Sequence, residues 1–347
     1  MKNNLYYVPE NLIKTNDASS KAREDIDTIL KNNGLNPLLT MDSKVLNGKK
    51  SKLQFNFWQS LYSLYTVKIK NIWIILQYPY GGKIVKKAFE PLIKNNHLIF
   101  IVHDLEYLRF KNTKEDLYFE ISLLNKADII VSHNTVMTKQ LQQDGVTVPV
   151  IDLELFDYLL DTAVPGNHIV GNQIVFAGNL EKSDFLKKEV IQDMNFTMKL
   201  YGPGFSETEM GWKNVHYAGS FKPEEVPYKL QGSFGLIWDG TSVDTCDGQT
   251  GAYMRYNNPH KLSLYIVSGL PVIVWKEAAV AEFVDNYQIG LTVNSLHEIA
   301  DKIQGLTAEK YAEMVNNVKK LQGKLAEGYF TKEVLAKLDA IIESTKS

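Results

Sequence analysis

A chain of 347 residues is too long for one ordinary hydrophobic core and points to about two domains. Its formal net charge of −2 argues against the one-sided basic surface of a nucleic-acid binder, and 44% apolar with 22% charged residues is a globular composition. A single cysteine, Cys246, excludes an intrachain disulfide and a cysteine-built zinc cage and fits a reducing compartment. The opening MKNNLYYVPENLIK lacks an apolar core followed by a small-residue cleavage site. No segment reaches the roughly 20 apolar residues that span a bilayer, so the expectation is a soluble, cytoplasmic protein without a transmembrane segment.

In chain order, LYYVP (5–9) reads as a strand. SSKAREDIDTILKNNG (19–34) reads as a helix with Ala22, Ile26, Ile29 and Leu30 on one face and Gly34 as its stop. NIWIILQYPY (71–80), HLIFIVHDL (97–105) and ADIIVSHN (127–134) read as strands, the last followed by the helix TVMTKQLQQDG. VTVPVIDLELFDY (146–158) closes the first half. LLDTAVPGNHIVGNQ (159–173), rich in Gly, Pro and Asn, is the linker candidate. Apolar runs then restart at QIVFAGNL (173–180), FTMKLYGPG (196–204), NVHYAGS (214–220), GSFGLIWDG (232–240) and GLPVIVW (269–275), and the tail from 308 to 345 is helical. Strands ending in small or polar residues, with helices between, describe parallel sheets with crossover connections. The expected fold is α/β, two doubly wound domains facing a central cleft. The first covers 1–160 and the second 161–320. A C-terminal helix from 321 to 347 is expected to pack back on the first domain.

In such sheets ligands bind beyond the carboxyl ends of the strands, so the polar residues there are the site candidates. In YNNPHKLSLYIVSGLPVIVW (256–275), Asn258 can cap a helix, Pro259 suits its first position, and Gly269 and Pro271 end it. Two readings fit. The N–H groups of His260, Lys261 and Leu262, with the Lys261 ammonium, can hold a phosphate or diphosphate; or this is a well-capped core helix with a solvated lysine. Neither a GxGxxG after a strand nor a GxxxxGK[ST] occurs, which disfavours ordinary dinucleotide and P-loop sites.

NNPHKLSLYIVSGLPVIVW resembles the Pro-x-Lys…Gly-x-Pro-Val-Ile signature of GT-B glycosyltransferases, in which this helix start holds the diphosphate of a nucleotide sugar. ASSKAREDI, QYPYGG, HDLEYLR, FAGNL, GLIWDG and YMRYNNPHK, in that order over roughly residues 5 to 290, resemble the bacterial glucosyltransferase 3 family, which extends O-linked GlcNAc on serine-rich repeat adhesins. HDLE and NPHK are similar, more distantly, to elements of galactofuranosyltransferase-like proteins. The resemblance implies a transferase with two Rossmann-like domains, moving glucose or GlcNAc from a UDP-sugar to GlcNAc-modified Ser/Thr. One departure stands out. Leu264 occupies the position where many GT-B enzymes carry a ribose-gripping Glu, so ribose recognition falls to other groups, with backbone groups near Leu262 and Ser263 as the candidates.

The remaining candidates carry a bland reading beside the functional one. Ser19 and Ser20 either cap the first helix or also reach the donor phosphates. Asn179, with Lys182 behind it, is a turn residue or faces those phosphates. Tyr201, Tyr217 or Phe221 stacks on uracil or fills the core, and Tyr217 is taken as the donor-site member. His103 and Asp104 form a strand-end network or position and deprotonate an acceptor hydroxyl, with Asp17 as a second base. Asp239, Asp244 and Asp247 lack a recognised metal-ligand spacing. Asp25 and Asp27, an Asp-x-Asp triplet, fall within a helix where residues two apart do not face each other. No required metal and no cofactor beyond the UDP-sugar substrate are expected. A homo-oligomer is expected from the tyrosine-rich helices. The alternatives are a galactofuranosyl- or other hexosyltransferase of cell-wall or capsular polymers, an inactive GT-B-like partner subunit, and a two-lobed binding protein.

Overall fold

The computed structural model describes residues 4–9, 18–38, 70–80, 90–110, 113–165, 170–205 and 211–344. Among them no helix is long and apolar enough to cross a membrane. Two six-stranded sheets, parallel throughout, organise the chain. The first holds β1 (Leu5–Tyr7), β2 (Asn36–Pro37), β3 (Trp73–Tyr78), β4 (His97–Val102), β5 (Ile129–Ser132) and β6 (Val150–Asp152), in the order β2-β1-β3-β4-β5-β6. The second holds β7 (Gln173–Ala177), β8 (Thr197–Tyr201), β9 (Val215–Gly219), β10 (Phe234–Ile237), β11 (Val272–Trp275) and β12 (Gly290–Val293), in the order β12-β11-β10-β7-β8-β9. That second order is the doubly wound one, with its switch point between β7 and β10.

Composition explains the strands. WIILQY of β3 is buried at every position, as are β5, β10 and β11, because helices cover both faces of a parallel sheet. Edge strand β9 instead alternates half-buried with exposed residues. The expected strands all form in part, but each is shorter than its apolar run. The segment 146–158 keeps only Val150–Asp152 as strand, and the stretch after it, with Glu154 and Phe156, runs through the seam between the lobes.

Eight helices matter for the site and its support: α1 (Ala18–Asn32), α2 (Glu106–Phe110), α3 (Lys114–Leu124), α4 (Thr135–Gln143), α5 (Gly248–Tyr253), α6 (His260–Val267), α7 (Ala308–Ala326) and α8 (Tyr329–Ser344). Helices α7 and α8 break at Gly328, whose φ is 78°. The Asp157 carboxylate then accepts the backbone N–H of Phe330 at 3.1 Å and of Thr331 at 2.7 Å, and α8 packs on α1 and β6 of the first lobe. One apolar cluster runs from Ile75, Ile101 and Val131 through Leu155, Phe156 and Tyr158 into the second lobe, so the lobes share a core on that face. Lys21 and Asp25 pair within α1. Lys21 also donates to the Leu159 carbonyl and Asp25 accepts the Leu159 N–H, tying α1 to the chain that leaves the first lobe.

Candidate functional site

The crevice at the second sheet's switch point is opened by one side chain. Tyr265 of α6 passes beneath β7 and β10, its hydroxyl accepting the Ala177 N–H at 2.9 Å and donating to the Leu236 carbonyl at 3.2 Å. It fits because Gly235 has no side chain; a Cβ there would stand 2.2 Å from the Tyr265 ring. Helix α6 thereby starts directly over the strand ends. Lys261 lies against β7, where a Cβ on Gly178 would meet its Cε at 2.9 Å. The Lys261 ammonium is 4.3 Å from the Phe176 ring centre and 3.4 Å from the Trp238 carbonyl, and it forms no ion pair among the described residues. Burial lowers its pKa below the usual lysine range, and the nearby Asp239 carboxylate opposes that shift.

Lys261 lines a cavity of about 210 Å³ between the lobes. Asp239, Asn257 and Thr250 share its second-lobe wall, and Asp104 with Arg109 forms the first-lobe wall. Arg109 pairs with Asp104 at 2.7 Å. Burial raises the Asp104 pKa, against the pull of Arg109 and Arg23. The Tyr253 hydroxyl accepts the Leu105 N–H at 3.0 Å, and Gln249 donates to the Phe110 carbonyl at 3.1 Å, so α5 is fastened to α2 across the cleft mouth.

His103 is half-buried beside this wall, stacked on Phe156 with ring centres 5.1 Å apart. Burial, then the charges of Arg23, His133 and His260, hold its pKa well below the usual histidine range, so the ring is neutral. Gln77 fixes its tautomer. The Gln77 amide nitrogen donates to the Arg23 carbonyl and to Asp27, both pure acceptors, so its oxygen must face His103. The His103 Nε2–H donates to that oxygen at 2.6 Å, which leaves Nδ1 with the lone pair.

Several expectations about the helix start need correction. Pro259, not Asn258, is the N-cap, and no side chain caps the helix. The Leu262 N–H is taken by the Pro259 carbonyl at 2.9 Å, leaving at most those of His260 and Lys261 for an anion. Asn258 is 3% exposed and its amide is spent on the first lobe. Its Nδ2 donates to the His133 carbonyl at 2.7 Å and the Glu154 carbonyl at 2.8 Å, and its Oδ1 accepts from Asn134 at 2.6 Å. Its backbone N–H donates to His133 Nδ1 at 2.9 Å. The Ser263 hydroxyl is buried and donates to the Phe156 carbonyl at 2.6 Å, so it cannot serve a ribose. Leu262 is fully buried, and the His260 ring stacks on Tyr158 at 5.0 Å. A signal written as ligand contact is in large part a seam between lobes.

The other candidates lie further out. Asn179 is exposed at the end of β7 and accepts the Lys182 N–H, the geometry of a turn. Tyr217 donates to the Gly202 carbonyl and packs against Phe205, and Tyr201 is buried; neither they nor Phe221 line the cavity. Ser19 and Ser20 fall in the first turn of α1, and Asp17 lies outside the described residues. Asp25 and Asp27 have different partners, Lys21 and Gln77. Asp247 accepts from the Thr241 and Ser242 backbone and the Thr241 hydroxyl, organising its own loop. Among the described residues no cluster of His, Cys, Asp or Glu could hold a metal. Sequence reasoning missed Arg109, although it lies in the quoted HDLEYLR, and it missed Asn257 and Thr250, for which no spacing gives a signal.

Two doubly wound parallel lobes that enclose a cleft at their strand ends, with a lysine-bearing helix start at the second switch point, define a GT-B glycosyltransferase. The fold is similar to that of Anabaena Alr3699/HepE in complex with UDP and glucose, with a TM-score of 0.57 and 12% identity over 96% of this chain and 98% of that one. Residues 6–155 and 174–338 match the N-terminal and C-terminal domains described as glucosyltransferase 3-like. The chain belongs to the glucosyltransferase 3-like family. It is 33% identical to the beta-1,6-galactofuranosyltransferase WbbI of Escherichia coli (strain K12) over 72% of each chain. It is 28% identical to glucosyltransferase 3 of Streptococcus gordonii over 78% of this chain and 79% of that one.

Proposed function

We propose that this transferase moves a hexose, glucose or GlcNAc, from a UDP-sugar to GlcNAc-modified Ser/Thr of a serine-rich repeat adhesin, in the cytoplasm and without a metal. The observation that carries the donor half is the half-buried Lys261 ammonium, which has no carboxylate partner among the described residues and lines a cavity whose opposite wall belongs to the other lobe. The bond from the sugar's anomeric carbon to the diphosphate breaks, and one to the acceptor oxygen forms. The acceptor hydroxyl loses its proton and UDP leaves with the bonding pair. Lys261 and the first N–H groups of α6 stabilise the charge that builds on the diphosphate. The acceptor enters against the first lobe, where Asp104 and the Nδ1 lone pair of His103 are the candidate proton acceptors. Family membership supports the glucosyl reading. The higher identity to WbbI favours a second one, transfer of galactofuranose to a polysaccharide acceptor.

The test measures UDP release from UDP-glucose, UDP-GlcNAc and UDP-galactofuranose, each with a GlcNAc-bearing peptide and with a glycan acceptor, with and without EDTA. Lys261→Ala is expected to lower turnover by roughly 10²–10³-fold with folding intact, the scale of losing one preorganised charge-stabilising group. A fully active Lys261→Ala protein refutes the donor assignment, and inhibition by EDTA refutes the metal-independent reading.

A further inference from the structure

The short helix α2 is held at both ends. At its start the buried Glu120 carboxylate of α3 accepts the Glu106 N–H at 3.1 Å and the Tyr107 N–H at 2.8 Å, and the Tyr78 hydroxyl donates to Glu120 in turn at 2.7 Å. At its end Gln249 of α5 donates to the Phe110 carbonyl. Five residues fixed in this way turn the one cation of the helix, Arg109, back toward Asp104 in the chain just before it. Arg109 Nη1 donates to Asp104 Oδ2 at 2.7 Å. Both side chains line the cavity across from Lys261, and they keep 37% and 30% of their surface exposed. An ion pair this open adds little to stability. Its place on the cavity wall therefore points to the chemistry rather than to the fold.

We propose that Arg109 is a positioning residue that holds Asp104 as a carboxylate aimed at the acceptor hydroxyl. The proposal rests on the transferase reading above and deepens it, since it assigns the acceptor's proton to Asp104. A proton acceptor must be ionised at the working pH and still be basic. Burial alone favours the neutral acid, and a cation in contact favours the carboxylate. Asp104 has both: burial is the largest influence on it, and Arg109 is the largest of those opposing burial. Arg23 of α1 acts with Arg109, and Glu106 of α2 acts against it. The Tyr253 hydroxyl faces Asp104 from α5 and is itself kept protonated by burial. On the far wall, the charges of Lys261 and Asp239 offset each other. Neighbouring His103 is neutral, weakly basic and not among the residues lining the cavity, so it is left to orient the acceptor. Arg109 occupies Oδ2, which leaves Oδ1 for the hydroxyl. The proton passes from the acceptor oxygen to Oδ1 as that oxygen bonds to the anomeric carbon, and the diphosphate leaves with the electron pair of the broken bond.

The experiment records kcat/KM for the acceptor against pH, with the accepted UDP-hexose saturating, in the wild type, Arg109→Gln, Arg109→Lys and Asp104→Asn. The wild type should lose activity toward low pH as Asp104 takes up a proton. Arg109→Gln should move that limb up by about one pH unit, so that it runs about tenfold below the wild type on the acid side and approaches it at high pH. Arg109→Lys keeps the charge and should return the limb toward the wild-type position. Asp104→Asn should remove the limb and be slow at every pH. An Arg109→Gln limb at the wild-type pH, with activity lowered equally throughout, overturns the proposal, because Arg109 would then only contact substrate or shape the wall. An Asp104→Asn protein that keeps the wild-type limb also overturns it, and leaves a transferase with another base. A wild type that uses no UDP-hexose overturns the transferase reading, and this proposal with it.

Discussion

Asn258→Ala is the substitution that most directly tests how the site is held. Asn258 makes three side-chain hydrogen bonds across the lobe boundary, at 2.7, 2.8 and 2.6 Å, from a position 3% exposed. Their loss is unequal. The His133 carbonyl keeps the Glu154 N–H at 3.0 Å, and the Asn134 amide keeps the Tyr256 carbonyl at 2.9 Å. The Glu154 carbonyl keeps no partner among the described residues. Three neutral hydrogen bonds at about 1 kcal/mol each, one of them leaving a desolvated carbonyl behind, give a predicted loss of about 3–4 kcal/mol. Urea unfolding measures it. Asn258→Asp should be worse, because a carboxylate facing two carbonyls can donate to neither and adds a buried charge. UDP affinity should fall as well, since the start of α6 would no longer be fixed. A loss under about 1 kcal/mol with unchanged UDP affinity would refute the reasoning, because it would mean the seam contributes little.

Two further predictions concern the histidines. Burial holds the His260 pKa at about 4, against 6.5 for an unperturbed ring, so its contribution to stability is fully present above pH 6.5 and is lost as pH falls toward 4. His260→Phe, which keeps the stack on Tyr158, removes that dependence, and the wild type should lose about 2 kcal/mol relative to it between pH 7 and pH 5 in urea unfolding; a difference that does not change with pH contradicts the shift. Gln77→Leu leaves His103 without the acceptor that sets its tautomer. The ¹⁵N resonances of His103 should then move from a single Nε2–H form toward a mixture of the two neutral tautomers, and kcat should fall with donor KM little changed; a ring that stays wholly Nε2–H shows that Gln77 does not set it.

The alternation of buried strands with helices made the doubly wound architecture readable, because a parallel sheet needs uninterrupted apolar runs and β3, β10 and β11 supply them. GLTV of β12 gave no such signal: four residues, three of them half-buried, are too few to separate from a loop. At the site, Lys261 was legible because a cation at a helix start announces an anion. The roles of Asn258 and Ser263 were not. Their partners are the carbonyls of His133, Glu154 and Phe156, more than 100 residues earlier in the chain, and nothing in the spacing of NNPHKLS distinguishes a ligand contact from a bond to a distant backbone.

The tether at Asn258 also decides what can move. Asn258 and Ser263, which bracket Lys261, are bonded to the first lobe, so a rotation that narrows the cleft must turn about this point, leaving the ammonium nearly stationary while the outer rims travel. By the same token, hybrid enzymes made by swapping whole lobes between relatives would have to carry residues 133–134, 154–157 and 257–263 as one matched set, or they would inherit a donor site with its anchor missing.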